Sequence, residues 1–409
     1  MTRRIAGVLL AAGLLAVPRG GCAQAVGAGM AGAAGLRARG VEAPFHNPAL
    51  LAWDRGLQLR FVSFRGSCEN NSYSLADYRR WNGERWDDAA KREVLARIRG
   101  DRLEASAEAR FSPPGVAYRG WALTVEVRGA ARSGLDKDAA RLLLFGNTPG
   151  ETFRLEGSEG EGSATTVLRL SHAREIRLHE SWRVAAGASV QVVRGWAYAE
   201  ILRAQGRVVT SVESLDGSAV LEELTTRGGH GVGFDAGLAV ESPRGWRAGL
   251  SVRDLGTVRW SSEVVLRRQT VRADSVNLDG LEDDTDLIEA GSEEEPAGPF
   301  RRSLEPVLAL AVAGTVRGVY VEADLARGFR EGAETSTVPR LALGLARPVA
   351  SWLEGRAGIA AGGVGGPLYA AGVGVVAGRV VIDLTVLAGG DVNPFSGKGF
   401  GFGFSAGWR

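Results

Sequence analysis

Residues 399–408 read GFGFGFSAGW, and residues 380–387 read VVIDLTVL. Every second residue in these stretches is apolar, and most residues between are small or polar. This period of two is that of a β-strand, whose successive side chains point to opposite faces, and not the period of a helix. The same alternation recurs at residues 246–253, 319–325 and 341–346. The sequence therefore predicts an all-β protein.

The small residues between the apolar positions indicate what kind of sheet this is. A soluble sandwich or propeller also has alternating strands, but its outer face usually carries long polar side chains. Here the second face is often glycine, alanine or serine, and 58 of the 409 residues are glycine. We therefore predict a transmembrane antiparallel β-barrel of about 14 strands, within a range of roughly 12 to 16, with its apolar face toward lipid.

Ionised residues also occupy the second face. They would be costly in the dry core of a sandwich, whereas a barrel lumen tolerates them. We expect them to form structural ion pairs that fill the lumen, with a polar conduction path as the alternative. The residues predicted to face the lumen are Glu126, Arg128, Arg247, Arg253, Glu322, Asp324 and Asp383.

The first 25 residues have the pattern of a secretory signal peptide. Arg3 and Arg4 precede the apolar run 5–17, and Ala23-Gln24-Ala25 matches a small-x-small cleavage site. The run is too short to span a bilayer, which takes about 20 residues. Cys22 leaves a lipid anchor open as an alternative. Export and a barrel together predict a location in a bacterial outer membrane, with lipid as the surrounding partner.

Overall composition excludes two other classes of protein. The formal net charge is +2, so a strongly basic nucleic-acid binder is excluded. Only two cysteines are present, which excludes a disulfide-knit fold and a cysteine-rich metal site. No cofactor is predicted.

Two segments break the strand pattern. Residues 75–99 contain apolar residues at helical spacing and predict a short amphipathic helix, either packed at the barrel mouth or inserted in the lumen. Residues 273–303 include a strongly acidic run and predict a solvated loop. Its clustered carboxylates are weak candidates for divalent-cation ligands, since their spacing fits no loop motif with a fixed ligand order; they are Asp279, Glu282, Asp283, Asp284 and Asp286.

The N-terminal region carries a family resemblance. Residues 26–30, Gly32 and Gly35, followed by residues 46–51 (HNPALL), resemble the start of the FadL and PorV group of outer-membrane barrels. Residues 71–78, 231–237 and 250–256 are similar to a poorly characterised branch of that group, which carries a domain of unknown function.

The resemblance implies a domain layout and a function. It places a hatch-like segment at residues 26–56, folded into a barrel that spans residues 57–409. Asn47, Pro48 and Ala49 would form the hatch turn that leads into the first strand, and proline suits such a turn because it fixes its own φ. It also implies passage of hydrophobic or amphipathic small molecules, or else a scaffold that holds a partner protein of a secretion system.

Residues suited to catalysis are sparse. His179 and Ser181 would share one face of a strand, and a lipid-modifying enzyme could use such a pair. Chance placement explains the pair better, so we predict no enzymatic activity. Glycine-rich residues 362–366 lie between strands and do not open a helix, which disfavours a phosphate-binding loop.

Overall fold

The computed structural model describes residues 25–146, 150–154, 156–179, 181–210, 214–277, 289–363 and 365–409. Most of them lie in one antiparallel sheet that closes on itself, because the last strand pairs with the first. None of the described helices is both long and apolar enough to cross a bilayer. The leader expected at residues 1–25 and the five candidate cation ligands lie outside the described residues, except for Ala25.

The strand segments, in chain order, are β1 Gln58–Asn70, β2 Arg102–Ser112, β3 Gly115–Tyr118, β4 Trp121–Asp136, β5 Thr152–Arg154, β6 Glu159–His179, β7 Trp182–Thr210, β8 Ser214–Thr226, β9 Gly229–Glu241, β10 Arg247–Trp260, β11 Val265–Asn277, β12 Glu289–Pro296, β13 Phe300–Ser303, β14 Val307–Val316, β15 Val319–Gly328, β16 Arg340–Ala350, β17 Leu353–Ala361, β18 Leu368–Ala377, β19 Val380–Gly389 and β20 Gly399–Trp408. The helices are α1 Ala25–Ala28, α2 Leu75–Trp81, α3 Asp88–Arg97 and α4 Lys137–Phe145, with 3-10 helices at Gly40–Phe45 and Pro48–Trp53.

Several of these segments are parts of one wall strand. β2 and β3 both pair with β1 and β4, and the prolines at 113 and 114 interrupt them because proline has no N–H to donate. β5 continues β6, β8 continues β9, β11 continues β10, and β12 and β13 continue β14 in the same way. The wall therefore has 14 strands, which confirms the predicted count.

The two ends of the barrel differ. One end has tight turns, such as Arg119-Gly120 and Arg317-Gly318, in which both residues have a positive φ as type I′ hairpins require. The other end carries the long connections, including residues 71–101 and 329–339. Short turns face the periplasm and long loops face the outside in outer-membrane barrels.

Side-chain exposure follows the predicted alternation. Val386 is 62% exposed on the outer face, whereas Asp383 and Thr385 on the other face of β19 are each 4% exposed. Strands β14 to β20 are 9 to 11 residues long, which suits a tilted strand crossing a bilayer. Exposed aromatic side chains lie at the short-turn end, as in an interfacial girdle: Tyr118, Trp121, Trp182, Trp246 and Trp352.

The zone crossed by the strands of 9 to 11 residues is called here the lipid band. Part of the wall extends above it at the long-loop end. β7 has 29 residues, and its upper part forms a sheet with β8, β11 and β12. This differs from the solvated loop expected at residues 273–303, because residues 289–296 and 300–303 are strands. Arginines of β11 lie opposite the glutamates of β12 and compensate the poor strand preference of an acidic run.

Candidate functional site

Residues 26–56, called here the inner segment, lie within the barrel. The backbone amides of Ala34 and Gly35 donate to Asp324 Oδ2 at 3.1 and 2.9 Å, and that of Leu36 donates to Glu322 Oε1 at 2.6 Å. In β10, two strands away along the wall, Arg253 Nη1 donates to the carbonyl oxygen of Phe45 at 2.5 Å. The inner segment is thus bound to more than one strand of the wall.

The Asn47-Pro48-Ala49 turn is buried against the wall. Asn47 caps the second 3-10 helix, since its Oδ1 accepts the amide of Ala49 at 3.0 Å. Its Nδ2 donates to the carbonyl oxygen of Leu238 in β9 at 2.9 Å. Glycine at position 187 lets the turn approach β7 closely, because a Cβ there would lie 2.5 Å from the carbonyl carbon of Pro48. The turn therefore contacts two wall strands directly.

The other predicted lumen charges lie in ion pairs. Arg128 contacts Glu126 Oε2 at 3.0 Å and Asp254 Oδ1 at 2.8 Å. Arg247 contacts Glu241 at 2.9 Å, and Asp383 accepts from Arg356 at 2.6 Å. The structure brings these residues into separate clusters on different strands, and not into one site.

Several partners of these charges were not among the residues predicted to face the lumen. Arg169 and Asp235 pair at 2.9 Å inside the lumen, and their strand positions alone could have indicated them. Asp254 was not foreseeable in this way. It lies in a bulge with φ of 58°, where the register between β9 and β10 shifts. The bulge turns Asp254 toward the lumen, where it pairs with Arg128 of β4.

A loop at the long-loop end reaches over the lumen. In this lid loop, residues 329–339, Glu334 pairs with Arg110 at 2.6 Å and Glu331 pairs with Arg132 at 3.3 Å. Glu305, between β13 and β14, accepts the backbone amides of residues 333 and 334. Burial, together with the nearby Glu334, raises the pKa of Glu305 to about 7. The lumen is covered above by this loop and filled below by the inner segment.

A large apolar cavity lies outside the lumen. It has a volume of about 570 Å³, between the outer face of the wall and helices α2, α3 and α4. Leu103 and Leu135 form its floor, since they alternate with the lumen-facing positions of β2 and β4, while Val94, Ile98 and Phe145 come from the helices. The helical insert is thus two helices packed on the outer rim, one of the two placements that the spacing left open.

The cavity described above is called here the rim groove. Most of its polar groups have a hydrogen-bond or ion-pair partner. The Tyr73 hydroxyl donates to the carbonyl oxygen of Val94 at 2.9 Å. Burial, and to a smaller extent the charge of Asp77, raises the pKa of Tyr73 to about 12. Lys398 Nζ lies 3.4 Å from Asp391. The groove is therefore suited to an apolar ligand with at most a small polar end.

The lumen cavities have a different character. The cavity above the inner segment, of about 160 Å³, is lined by charged residues that include Arg65, Glu108 and Arg340. A second one of about 350 Å³, between the inner segment and β17 to β20, is lined by Arg37, Glu354 and Arg356 among others. Among the described residues, no group of three or more His, Cys, Asp and Glu side chains is placed to hold a metal ion.

The contact between β1 and β20, called here the seam, joins the groove to the lumen. Ladder pairing ends at Val62 and Ala406, and farther along the seam the amide of Asn70 donates to the carbonyl oxygen of Lys398 at 2.9 Å. Between these points the strands meet through side chains, such as the rings of Phe64 and Phe402 at 4.8 Å. Three residues line both the groove and the lumen cavity: Cys68, Glu69 and Phe400.

The described geometry agrees with a sequence comparison. The profile of a family of unknown function, DUF5723, matches residues 58–227 and 213–312, which together cover more than half of the chain. The chain belongs to this family. A search of curated proteins gives no match to this DUF5723 chain.

Solved structures show the same fold in transport proteins. The toluene transporter TbuX of Ralstonia pickettii aligns with a TM-score of 0.51 at 12% identity, covering 95% of the DUF5723 chain and 98% of the transporter. A deltaS2S3 mutant of the monoaromatic hydrocarbon channel TodX, from Pseudomonas putida, gives the same four values. A Pseudomonas aeruginosa FadL homologue aligns with a TM-score of 0.49 and 12% identity, over 95% and 98% of the two chains. The matches to TbuX and to the TodX mutant confirm the predicted barrel fold and its likeness to FadL-family barrels.

Proposed function

We propose that this protein is located in a bacterial outer membrane and passes hydrophobic or amphipathic small molecules across it. One observation carries the proposal: an apolar groove of about 570 Å³ lies on the outer rim beside the seam, where the wall ladder is interrupted. A ligand that partitions into the groove leaves water while still outside the lumen. The burial of its apolar surface drives this step.

The contents of the lumen favour a route through the seam. A straight path down the barrel axis meets the lid loop and then the inner segment, and the cavities along it are lined by ion-paired side chains. An apolar molecule gains little from such surroundings. Separation of β1 from β20 would instead open a short passage past Cys68 and Phe400, since both line the groove and the lumen cavity.

The seam is a favourable place for such an opening. Over most of its length it lacks the ladder pairing that joins other neighbouring strands among the described residues. β20 also alternates glycine at 399, 401 and 403 with phenylalanine, and glycine weakens a strand because it has no side chain to pack. Opening therefore costs fewer hydrogen bonds here than at a fully paired contact.

The named activities of the similar structures support this class of cargo. TbuX is a toluene transporter and TodX a monoaromatic hydrocarbon channel. Both share the barrel fold with this chain, and their cargo is apolar. We therefore place small aromatic or aliphatic compounds first among the candidates.

A charge placed in the groove tests the proposal. Leu143 lines the groove and is 45% exposed, so Leu143→Asp leaves the core intact while it puts a carboxylate where the ligand would bind. Phe329→Asp is the matched control, because Phe329 is an exposed apolar residue at the same end of the barrel and does not line the groove. We expect Leu143→Asp alone to weaken binding of the apolar fluorophore N-phenylnaphthylamine and to slow toluene uptake by cells. Equal binding and uptake in both variants would contradict the proposal.

A further inference from the structure

β12 forms the edge of the sheet that rises above the lipid band. It pairs with β11 from Val265 opposite Pro296 to Arg272 opposite Glu289. On its other side, no strand among the described residues pairs with it. All of its residues are exposed. Such an edge presents unpaired backbone N–H and C=O groups that can accept another strand.

Charges alternate across this sheet from strand to strand. β8 carries Glu222-Glu223, β11 carries Arg267-Arg268 directly opposite, and β12 carries Glu293-Glu294 opposite those arginines. Arg268 Nη2 lies 2.8 Å from Glu222 Oε1. Arg267 Nη2 lies 2.6 Å from Glu294 Oε1. Since neighbouring residues of a strand point to opposite faces, one row of alternating charge runs along each face of the sheet.

Both rows end on a glutamate at the open edge. An antiparallel strand added there would complete both rows if it carried two consecutive basic residues, as β11 does on the other side of β12. Opposite charges that face each other across strands are favourable, and like charges are unfavourable. We propose that β12 binds, by strand addition, an extended segment of another protein that carries two consecutive arginine or lysine residues.

Charge distinguishes this partner from two others. A second copy of the chain pairing through the same edge would bring two sets of glutamates 289, 293, 294 and 295 together at that edge. A lipid surface rich in phosphate would likewise be repelled by them. Acidic side chains can also serve only to keep an edge free of partners. A designed peptide separates that role from binding.

The probe is the octapeptide Val-Leu-Arg-Arg-Gln-Thr-Val-Arg, which copies residues 265–272. We expect it to bind the full chain in detergent micelles, and a peptide with Glu in place of its two consecutive Arg residues not to bind. Glu293→Lys combined with Glu294→Lys should weaken binding by roughly tenfold, because two favourable pairs become repulsive. The control Asp88→Lys with Glu263→Lys changes the net charge equally at exposed sites away from β12 and should leave binding unchanged.

Cross-linking tests the register. In a Cys68→Ser background, Ser292→Cys should form a disulfide with a peptide whose fifth residue, Gln, is cysteine, since that residue faces Ser292 in the β11 register. A cysteine at the seventh residue should react poorly. Absence of peptide binding, equal loss of binding in the control variant, or equal cross-linking of both peptides would overturn the proposal. Disulfides between two Ser292→Cys chains without peptide would overturn it in favour of self-association.

Discussion

Replacement of Gly187 by alanine should disturb the inner segment through a single methyl group. The added Cβ would lie 2.5 Å from the carbonyl carbon of Pro48 and 2.6 Å from the amide nitrogen of Ala49, whereas ordinary contact begins near 3.4 Å. The inner segment or β7 must therefore move by about 1 Å. Asn47 holds the turn by hydrogen bonds to Ala49 and to β9, so it has little freedom to shift.

The expected cost is about 1–3 kcal/mol of unfolding free energy, the usual range for overpacking in a well-packed interior. Gly129→Ala is the control, because Gly129 also lies within a wall strand and has no heavy atom within 4 Å of the added Cβ. Tryptophan fluorescence during urea unfolding in micelles measures the free energy. Limited proteolysis measures access to residues 26–56, which should increase only in Gly187→Ala. Equal unfolding free energies and equal proteolysis in the two variants would refute the contact between the turn and β7.

Three other predictions concern the inner segment, the lid loop and the wall. Asn47→Ala should lower the unfolding free energy by about 1–3 kcal/mol, because it removes the Asn47 hydrogen bonds to the Ala49 amide and to the Leu238 carbonyl oxygen; urea unfolding measures it, and an unchanged value would contradict these hydrogen bonds. Burial, and to a smaller extent the charge of Glu334, raises the pKa of Glu305 to about 7, whereas the pKa of a glutamate in an unfolded chain is about 4.3. Docking of the lid loop should therefore be strongest below about pH 4.3 and should weaken as the pH rises through about 7. Hydrogen exchange of the lid-loop amides should show this trend, and Glu305→Gln should abolish it; an unchanged trend in that variant would assign it to another group. Trp260→Ala should cost about 3–5 kcal/mol because the ring is 2% exposed, whereas Trp121→Ala on the lipid-facing side, 51% exposed, should cost much less; similar urea-unfolding free energies for both would contradict the described packing.

Much of the barrel could be predicted because alternation is a local property. The outward position of Val386 and the lumen position of Asp383 both follow from a period of two. The closed wall follows from the absence of any other way for β-strands to satisfy their backbone groups in lipid, and the even strand number is that of bacterial single-chain barrels in general. The Asn47 turn is also local, since an Asn side chain can accept a backbone amide two residues later.

The features that the sequence left undetermined depend on register between distant segments. The seam joins β1 to β20, which lie at opposite ends of the chain, so no local pattern indicates where their pairing stops. The bulge at Asp254 reverses the face expected for this residue, and the bulged position is neither glycine nor proline, which would have indicated an irregularity. The predicted helix of residues 75–99 is divided into α2 and α3 near Gly83, whose φ is +86°.

The β12 strand was missed for a related reason. Runs of glutamate disfavour strands, and composition alone predicts a solvated loop. Arg267 and Arg268 offset that preference only because β11 places them directly opposite. Strand pairing, and not composition, decides the structure of this segment.

A disulfide across the seam tests the central claim most directly. Ser67→Cys and Gly401→Cys place two thiols face to face, because a Cβ at Gly401 would lie 2.8 Å from the Ser67 Cβ and 2.7 Å from the carbonyl oxygen of Gly66. The two strands must therefore separate by about 1 Å to reach the Cβ distance of a disulfide. A Cys68→Ser background removes the neighbouring thiol, and Ala357→Cys with Ala371→Cys supplies the control at a fully paired contact. Toluene uptake should stop when the seam pair is oxidised and should return on reduction. The control disulfide should leave uptake unchanged. Undiminished uptake through a barrel with the seam locked would contradict the account.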